Sequence, residues 1–160
     1  MSGQILVLGL GNELFSDEGV GVVAARRLEE RNLPGVDVVD GGTLGLSLLP
    51  TIEGRQALLV LDAVLSEDLE PGEIVVYDGA ELRREARLLY SAHQLGVNEV
   101  LAAADLVGST PETVAAVGMV PASVDTGYGL TVVATEALEA MVENAMEILA
   151  SWGVKEPANA

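Results

Sequence analysis

Residues 5–21, which read ILVLGLGNELFSDEGVG, contain the clearest structural pattern in the chain. Its first part, residues 5–10, is a short apolar run that meets glycines at its end, as a buried parallel strand does where it enters a tight turn. From Asp17 the apolar residues recur at helical spacing, with charged residues between them, until the sequence NLPG at residues 32–35 ends the pattern. The stretch therefore predicts a strand, a glycine-rich loop and an amphipathic helix.

The same alternation continues along the chain. Further strands are predicted at residues 36–39, 57–61, 73–77 and 113–119, and helical segments at 81–89, 95–107 and 131–152. Buried strands that alternate with amphipathic helices form a sheet that is covered on both faces. We therefore expect an α/β fold in a single domain over residues 1–160: a three-layer α/β/α sandwich around a mostly parallel or mixed sheet of about five strands.

The composition excludes several classes of partner and site. Eight Lys and Arg against 25 Asp and Glu give a net charge of -17, which repels nucleic-acid phosphates and anionic membrane surfaces, so we expect neither as a partner. Because the chain has no cysteine, a disulfide, a thiolate metal site and a cysteine nucleophile are excluded. The N-terminal sequence MSGQILVLGLGNE lacks the basic region of a signal peptide, and we expect a cytoplasmic protein.

Acidic residues follow the first three predicted strands. Asp17 and Glu18 come after the first, Asp40 after the second, and Asp62 at the end of the third, while the single histidine, His93, lies in a predicted loop. Functional sites of open α/β sheets gather at the carboxyl ends of strands. Two carboxylates and one imidazole from separate loops suit a three-ligand metal site with open coordination positions, which is usually catalytic. The imidazole favours nickel or zinc over magnesium or calcium.

Each of these residues also has an ordinary structural interpretation. Asp17 suits the N-cap of the first helix, and Glu18 suits its first turn, where the helix dipole favours a negative charge. Asp62 suits a solvated loop, His93 a surface position, and Asp40 a tight turn with the glycines after it. From spacing alone, both interpretations remain open.

Other motifs are incomplete. Residues 9–11, GLG, begin a dinucleotide-binding fingerprint, but Leu14 stands where the third glycine belongs and Glu18 would face the pyrophosphate. A phosphate-binding P-loop is excluded because no lysine occurs before Lys155. Residues 45–49, GLSLL, lack the second glycine of a nucleophile elbow, so a serine hydrolase has weak support.

Four segments, taken in order, carry a family resemblance. They are GLGNELFSDEGVG at 9–21, DGGT at 40–43, LDA at 61–63 and SAHQLG at 91–96. This series resembles the hydrogenase maturation endopeptidases, and its order and separations match from residue 4 to about residue 150. One departure is Val132, which stands where many members of the family have proline.

The resemblance implies a set of site residues. It places the metal ligands, which are also the catalytic residues, at Glu18, Asp62 and His93. Within the acidic first loop, Glu18 matches the ligand position and Asp17 a neighbouring position of the motif. A second group of residues follows the second strand, and we expect it to contact the substrate or to orient the site: Asp40, Gly41, Gly42 and Thr43.

The resemblance also implies a function. Members of the family remove a C-terminal extension from the large-subunit precursor of a NiFe hydrogenase after nickel has been inserted. The expected cofactor is therefore Ni2+ supplied by the substrate, in a site that other divalent ions such as Zn2+ or Cd2+ also fit. Two alternatives remain: a binding module that recognises the nickel-loaded precursor without cutting it, and a small-molecule hydrolase on a similar fold.

Overall fold

A computed structural model of the protein describes residues 3–43, 45–84 and 97–158. Five strands form one sheet: β1 (Ile5–Leu10), β2 (Val36–Gly42), β3 (Ala57–Ala63), β4 (Ile74–Asp78) and β5 (Thr113–Met119). Their order across the sheet is β2-β1-β3-β5-β4, with every pair parallel except β4 and β5. The helices are α1 (Val20–Glu29), α2 (Leu49–Ile52), α3 (Gly79–Arg84), α4 (Val97–Leu106) and α5 (Val132–Ser151). The predicted α/β fold with a mixed sheet of five strands is confirmed.

The helices cover the sheet in two layers because its three central strands, β1, β3 and β5, are apolar on both faces. Successive side chains of a strand point to opposite faces, so Leu6 and Leu8 of β1 pack with α2, α3 and α4, while Val7 between them packs with α1 and α5. In the central strand β3, all seven residues are buried. No helix in the described part of the chain is long and apolar enough to cross a membrane.

Several predicted boundaries were wrong in ways that affect the site. The helix predicted from Asp17 begins as a 3₁₀ turn, Ser16–Gly19, and becomes α-helical only at Val20. The third strand continues past Leu61 to Ala63, because pairing with β5 continues through Asp62 opposite Gly118. The second strand likewise continues to Gly42. Asp62 is thus part of the buried sheet and does not belong to a solvated loop.

The strand order changes direction between β1 and β3. From β1 the chain moves to β2 on one side, and then returns to form β3 on the other side. The carboxyl ends of β1 and β3 therefore border the crevice in which open α/β sheets bind ligands. α1 approaches this crevice closely at Gly21, where a Cβ atom would lie 2.1 Å from the carbonyl oxygen of Leu61 and 2.5 Å from that of Leu10.

Candidate functional site

Glu18 is held at the crevice by the backbone around it. Its N–H donates to the carbonyl of Phe15 across the 3₁₀ turn, over 3.1 Å. Its own carbonyl oxygen lies where a side chain on Gly11 would be, 1.9 Å from an ideal Cβ at that position. Gly11 has a φ of 128°, which glycine adopts without strain. Glu18 is only 8 % exposed, although it lies in a short 3₁₀ turn outside the sheet and the α-helices.

Asp62 lies within β3, one residue before its end, and is fully buried. One carboxylate oxygen, Oδ1, accepts a hydrogen bond from the N–H of Ala63 over 2.8 Å. Burial raises the pKa of Asp62 well above its usual range, the Ala63 N–H opposes this rise, and the negative charge of Glu18 adds to it. The two carboxyl groups are therefore near enough to repel each other.

The two acids leave one buried oxygen each without a partner. Among the described residues, neither Oε1 of Glu18 nor Oδ2 of Asp62 has a hydrogen bond. Burial also raises the pKa of Glu18, so both groups are destabilised as anions. A divalent cation between them would offset this repulsion and satisfy both oxygens, and carboxylate oxygens are good ligands for such an ion. The chemistry of this acid pair therefore fits a metal ion.

Asp17 has a different role from the predicted N-cap. It is fully buried and makes no capping bond to α1; its carboxylate reaches across to a distant segment instead. Oδ2 accepts from the N–H groups of Ala122 and Ser123, at 2.9 and 3.4 Å, and from Oγ1 of Thr131 at 2.8 Å. Oδ1 accepts from the N–H of Thr131 at 2.8 Å. Thr131 is itself the N-cap of α5, so Asp17 joins the loop that carries Glu18 to the last helix.

The end of β2 at Asp40 borders a cleft that Gly11 also lines, the glycine against which the backbone of Glu18 packs. Oδ1 of Asp40 accepts from the N–H of Gly42 at 3.0 Å, but both residues belong to β2, so the turn predicted directly after residue 39 was wrong. The carbonyl of Gly42 accepts a hydrogen bond from the N–H of Gly11, so the end of β2 supports the first loop. Gly41 packs against the side chains of β1, where a Cβ would come within 2.9 Å of two leucine methyl groups. Asp40, Gly42 and Thr43 line the cleft, which has a volume of about 300 Å³.

Sequence reasoning missed an ion-pair network at the same cleft. Arg26 of α1 donates to both oxygens of Glu13, at 2.6 and 2.7 Å, and lies 3.5 Å from Oδ2 of Asp40. Glu13 is therefore neutralised by Arg26 and is a poorer candidate for metal binding than Glu18. The helical spacing in the sequence predicted only that Arg26 is a charged residue on the exposed side of the first helix.

His93, the third predicted ligand, lies outside the described residues. Within the described part of the chain, no group of three or more His, Asp or Glu side chains is arranged to hold a metal ion. The geometry therefore brings together Glu18 and Asp62 and leaves His93 a prediction.

Comparison with known proteins decides the family. Residues 22–148 match the hydrogenase maturation protease family. The chain belongs to this family. Its curated relatives include the hydrogenase 2 maturation protease of Escherichia coli K12, which is 38% identical over 146 residues that cover 90% of this chain and 87% of the relative. Another is the hydrogenase expression/formation protein HupD of Rhizobium leguminosarum, 38% identical over 155 residues that cover 94% and 76% of the two chains.

Solved structures of hydrogenase maturation proteases share the fold. The hydrogenase maturating endopeptidase HybD from E. coli superposes with a TM-score of 0.87 at 36% identity, over 97% of this chain and 96% of that one. A NiFe hydrogenase maturation protease from Thermococcus kodakarensis superposes with a TM-score of 0.72 at 29% identity, over 92% and 99% of the two chains. The predicted family and the predicted class of reaction, hydrolysis of peptide bonds, are thereby confirmed.

Proposed function

We propose that this maturation protease removes a C-terminal extension from the nickel-loaded large-subunit precursor of a NiFe hydrogenase, with Glu18, Asp62 and His93 as the residues that meet the nickel. The observation that carries the proposal is the acid pair at the crevice between β1 and β3, where each acid keeps one buried oxygen without a partner in the described part of the chain. Such an arrangement is unfavourable in the protein alone and becomes favourable when a divalent ion arrives.

In this proposal the ion comes with the substrate. The carboxylates of Glu18 and Asp62 hold the nickel of the precursor, and this contact places the adjoining C-terminal peptide over the crevice. A bound divalent ion supplies positive charge that polarises a carbonyl or activates a water molecule. The deep burial of Asp62 at the end of β3 excludes bulk water and strengthens the attraction between its carboxylate and the ion.

His93 is the third ligand in this proposal because residues 91–96, SAHQLG, resemble the histidine loop of the family. It precedes Val97, the first residue of α4, by four positions. α4 contacts α2 and residues 45–48, which follow β2 in the chain.

The test is a cleavage assay followed by mass spectrometry. Nickel-loaded and nickel-free large-subunit precursor are each incubated with the wild type and with Glu18→Gln, Asp62→Asn and His93→Ala. We expect loss of a C-terminal peptide only from nickel-loaded precursor and only with the wild type. Glu112→Gln is the matched control, because this exposed acid lies at the opposite end of the sheet, beside the start of β5, and its loss should leave cleavage unchanged.

The alternatives give different results in the same assay. Tight binding of the precursor with no mass loss would mean that the acid pair is only a docking site, as in a chaperone-like module. Equal cleavage of nickel-free precursor would show that the reaction does not require nickel. Full activity of all three variants would show that cleavage does not require Glu18, Asp62 and His93.

A further inference from the structure

A group of exposed apolar side chains lies on two paired loops, one of which carries Glu18. It consists of Leu14, Phe15, Val124 and Tyr128, which we call the apolar rim, and their exposed fractions are 61, 36, 41 and 77 %. Two of the five aromatic residues of the chain, Phe15 and Tyr128, belong to it. Aromatic side chains are enriched at protein interfaces, where they supply large contact areas with few rotatable bonds.

The exposure of the apolar rim is imposed by the fold. Its residues come from two loops that pair with each other: the N–H of Ser16 donates to the carbonyl of Gly127, and the N–H of Gly127 donates to the carbonyl of Leu14, both over 2.8 Å. Oγ of Ser16 adds a bond to the carbonyl of Asp125 at 2.9 Å. The buried carboxylate of Asp17 fixes the base of the second loop. Apolar side chains held outward in this way are available to a partner.

The apolar rim is continuous with the candidate active site. The carbonyl of Phe15 accepts the N–H of Glu18, so the rim and the proposed metal ligand share one turn of backbone. Leu14 and Tyr128 line the same cleft as Asp40 and Thr43. A polypeptide whose scissile bond lies at Glu18 and Asp62 is therefore within reach of the rim.

We propose that the apolar rim is the surface that binds the hydrogenase precursor, through apolar side chains of the segment that adjoins its cleavage position. This inference rests on the proposed function for the identity of the partner. The rim contributes affinity and selection among precursors, whereas Glu18 and Asp62 act at the reacting centre. The ion pairs of Arg26 with Glu13 and Asp40 offset part of the negative charge beside the rim, which suits the approach of an apolar segment to this otherwise acidic protein.

The experiment measures KM and kcat for nickel-loaded precursor with Leu14→Ala, Tyr128→Ala and the double variant. We expect KM to rise about tenfold for Tyr128→Ala and further for the double variant, with kcat changed less than about twofold, since the loss is of uniform binding. Tyr128→Phe should recover most of the affinity because it keeps the ring. Leu106→Ala is the matched control: Leu106 is 88 % exposed at the end of α4, away from the cleft, and its loss should leave both constants unchanged.

A direct measurement of precursor binding shows whether this inference or the proposed function has failed. If the wild type cleaves the precursor and the double variant has the same KM, the rim does not bind substrate, although the proposed function stands. If the wild type does not cleave, the affinity of the precursor is measured by titration calorimetry. Weaker binding by the double variant alone would then support the rim, whereas equal binding, or no binding by the wild type, would overturn it.

Discussion

The buried carboxylate of Asp17 should be one of the main tertiary contacts of the fold, and Asp17→Ala tests this directly. The substitution removes an acceptor from three backbone N–H groups and from the hydroxyl of Thr131. Hydrogen bonds to a charged group contribute about 1.5 to 3 kcal/mol each, and the longest of the four, at 3.4 Å to Ser123, contributes least. Because the donors in the loop regain some contact with water, we expect a net loss of about 3 to 5 kcal/mol in the free energy of unfolding.

The assay is urea unfolding followed by circular dichroism, with thermal unfolding as a second measurement. A loss of this size in a domain of this length lowers Tm by roughly 10 °C. Thr131→Val removes one of the four bonds together with the N-cap of α5, and should lose about 1 to 2 kcal/mol. Thr131→Ser keeps the hydroxyl and is the matched control, with an expected change below about 0.5 kcal/mol.

A double-mutant cycle identifies the contact. Since Asp17 and Thr131 bond each other directly, Asp17→Ala and Thr131→Val should show a coupling free energy of about 1 kcal/mol or more. A loss below about 1 kcal/mol in Asp17→Ala, or strict additivity in the cycle, would refute the reasoning that this carboxylate joins the first loop to α5.

Three further predictions concern the crevice. Asp62→Asn removes a carboxyl group whose pKa is raised in the folded metal-free protein, and such a group makes the folded state less stable as the pH rises from the unfolded pKa through the folded pKa. The variant should therefore have a higher Tm than the wild type near pH 7 and lose this advantage near pH 4. A difference in Tm that is constant with pH would contradict the prediction. Gly21→Ala places a methyl group against the carbonyls of Leu61 and Leu10 and should destabilise the protein by at least about 2 kcal/mol in urea, whereas stabilisation would show that α1 can shift freely. Cleavage of nickel-loaded precursor should fall as pH drops below about 6 to 7, because His93 must be neutral to bind metal, and a flat profile from about pH 5 to 8 would exclude it as a ligand.

The sequence predicted the fold well because the three central strands are continuous apolar runs. The boundaries of β5 were predicted at Thr113–Met119, as the structure has them, since the run is continuous and turns flank it. The composition of β4 did not indicate its direction. Residues 73–77 have the composition of a strand in either direction, and only the preceding connection, too short to hold a crossover helix, requires the antiparallel pairing with β5.

The interactions that sequence reasoning missed join residues that are far apart in the chain. Asp17 was interpreted as an N-cap because that interpretation uses only neighbouring residues, whereas its four donors lie 105 to 114 positions away. Glu13 and Arg26 are only 13 positions apart, but they belong to a loop and a helix whose relative placement is fixed by Gly21 against β1 and β3. No periodicity in a single segment carries this information.

Hydrogen-bond satisfaction distinguishes the three acids of the first loop better than their spacing does. Both oxygens of Glu13 bond Arg26, and both oxygens of Asp17 bond the segment around Thr131. Only Glu18 keeps a buried oxygen without a partner in the described part of the chain, and Asp62 on the adjacent strand keeps another. A buried acceptor left unsatisfied is destabilising unless a ligand completes it. This difference favours Glu18 over its two neighbours as the proposed nickel ligand, and it assigns Asp17 and Glu13 to holding the loop in which Glu18 lies.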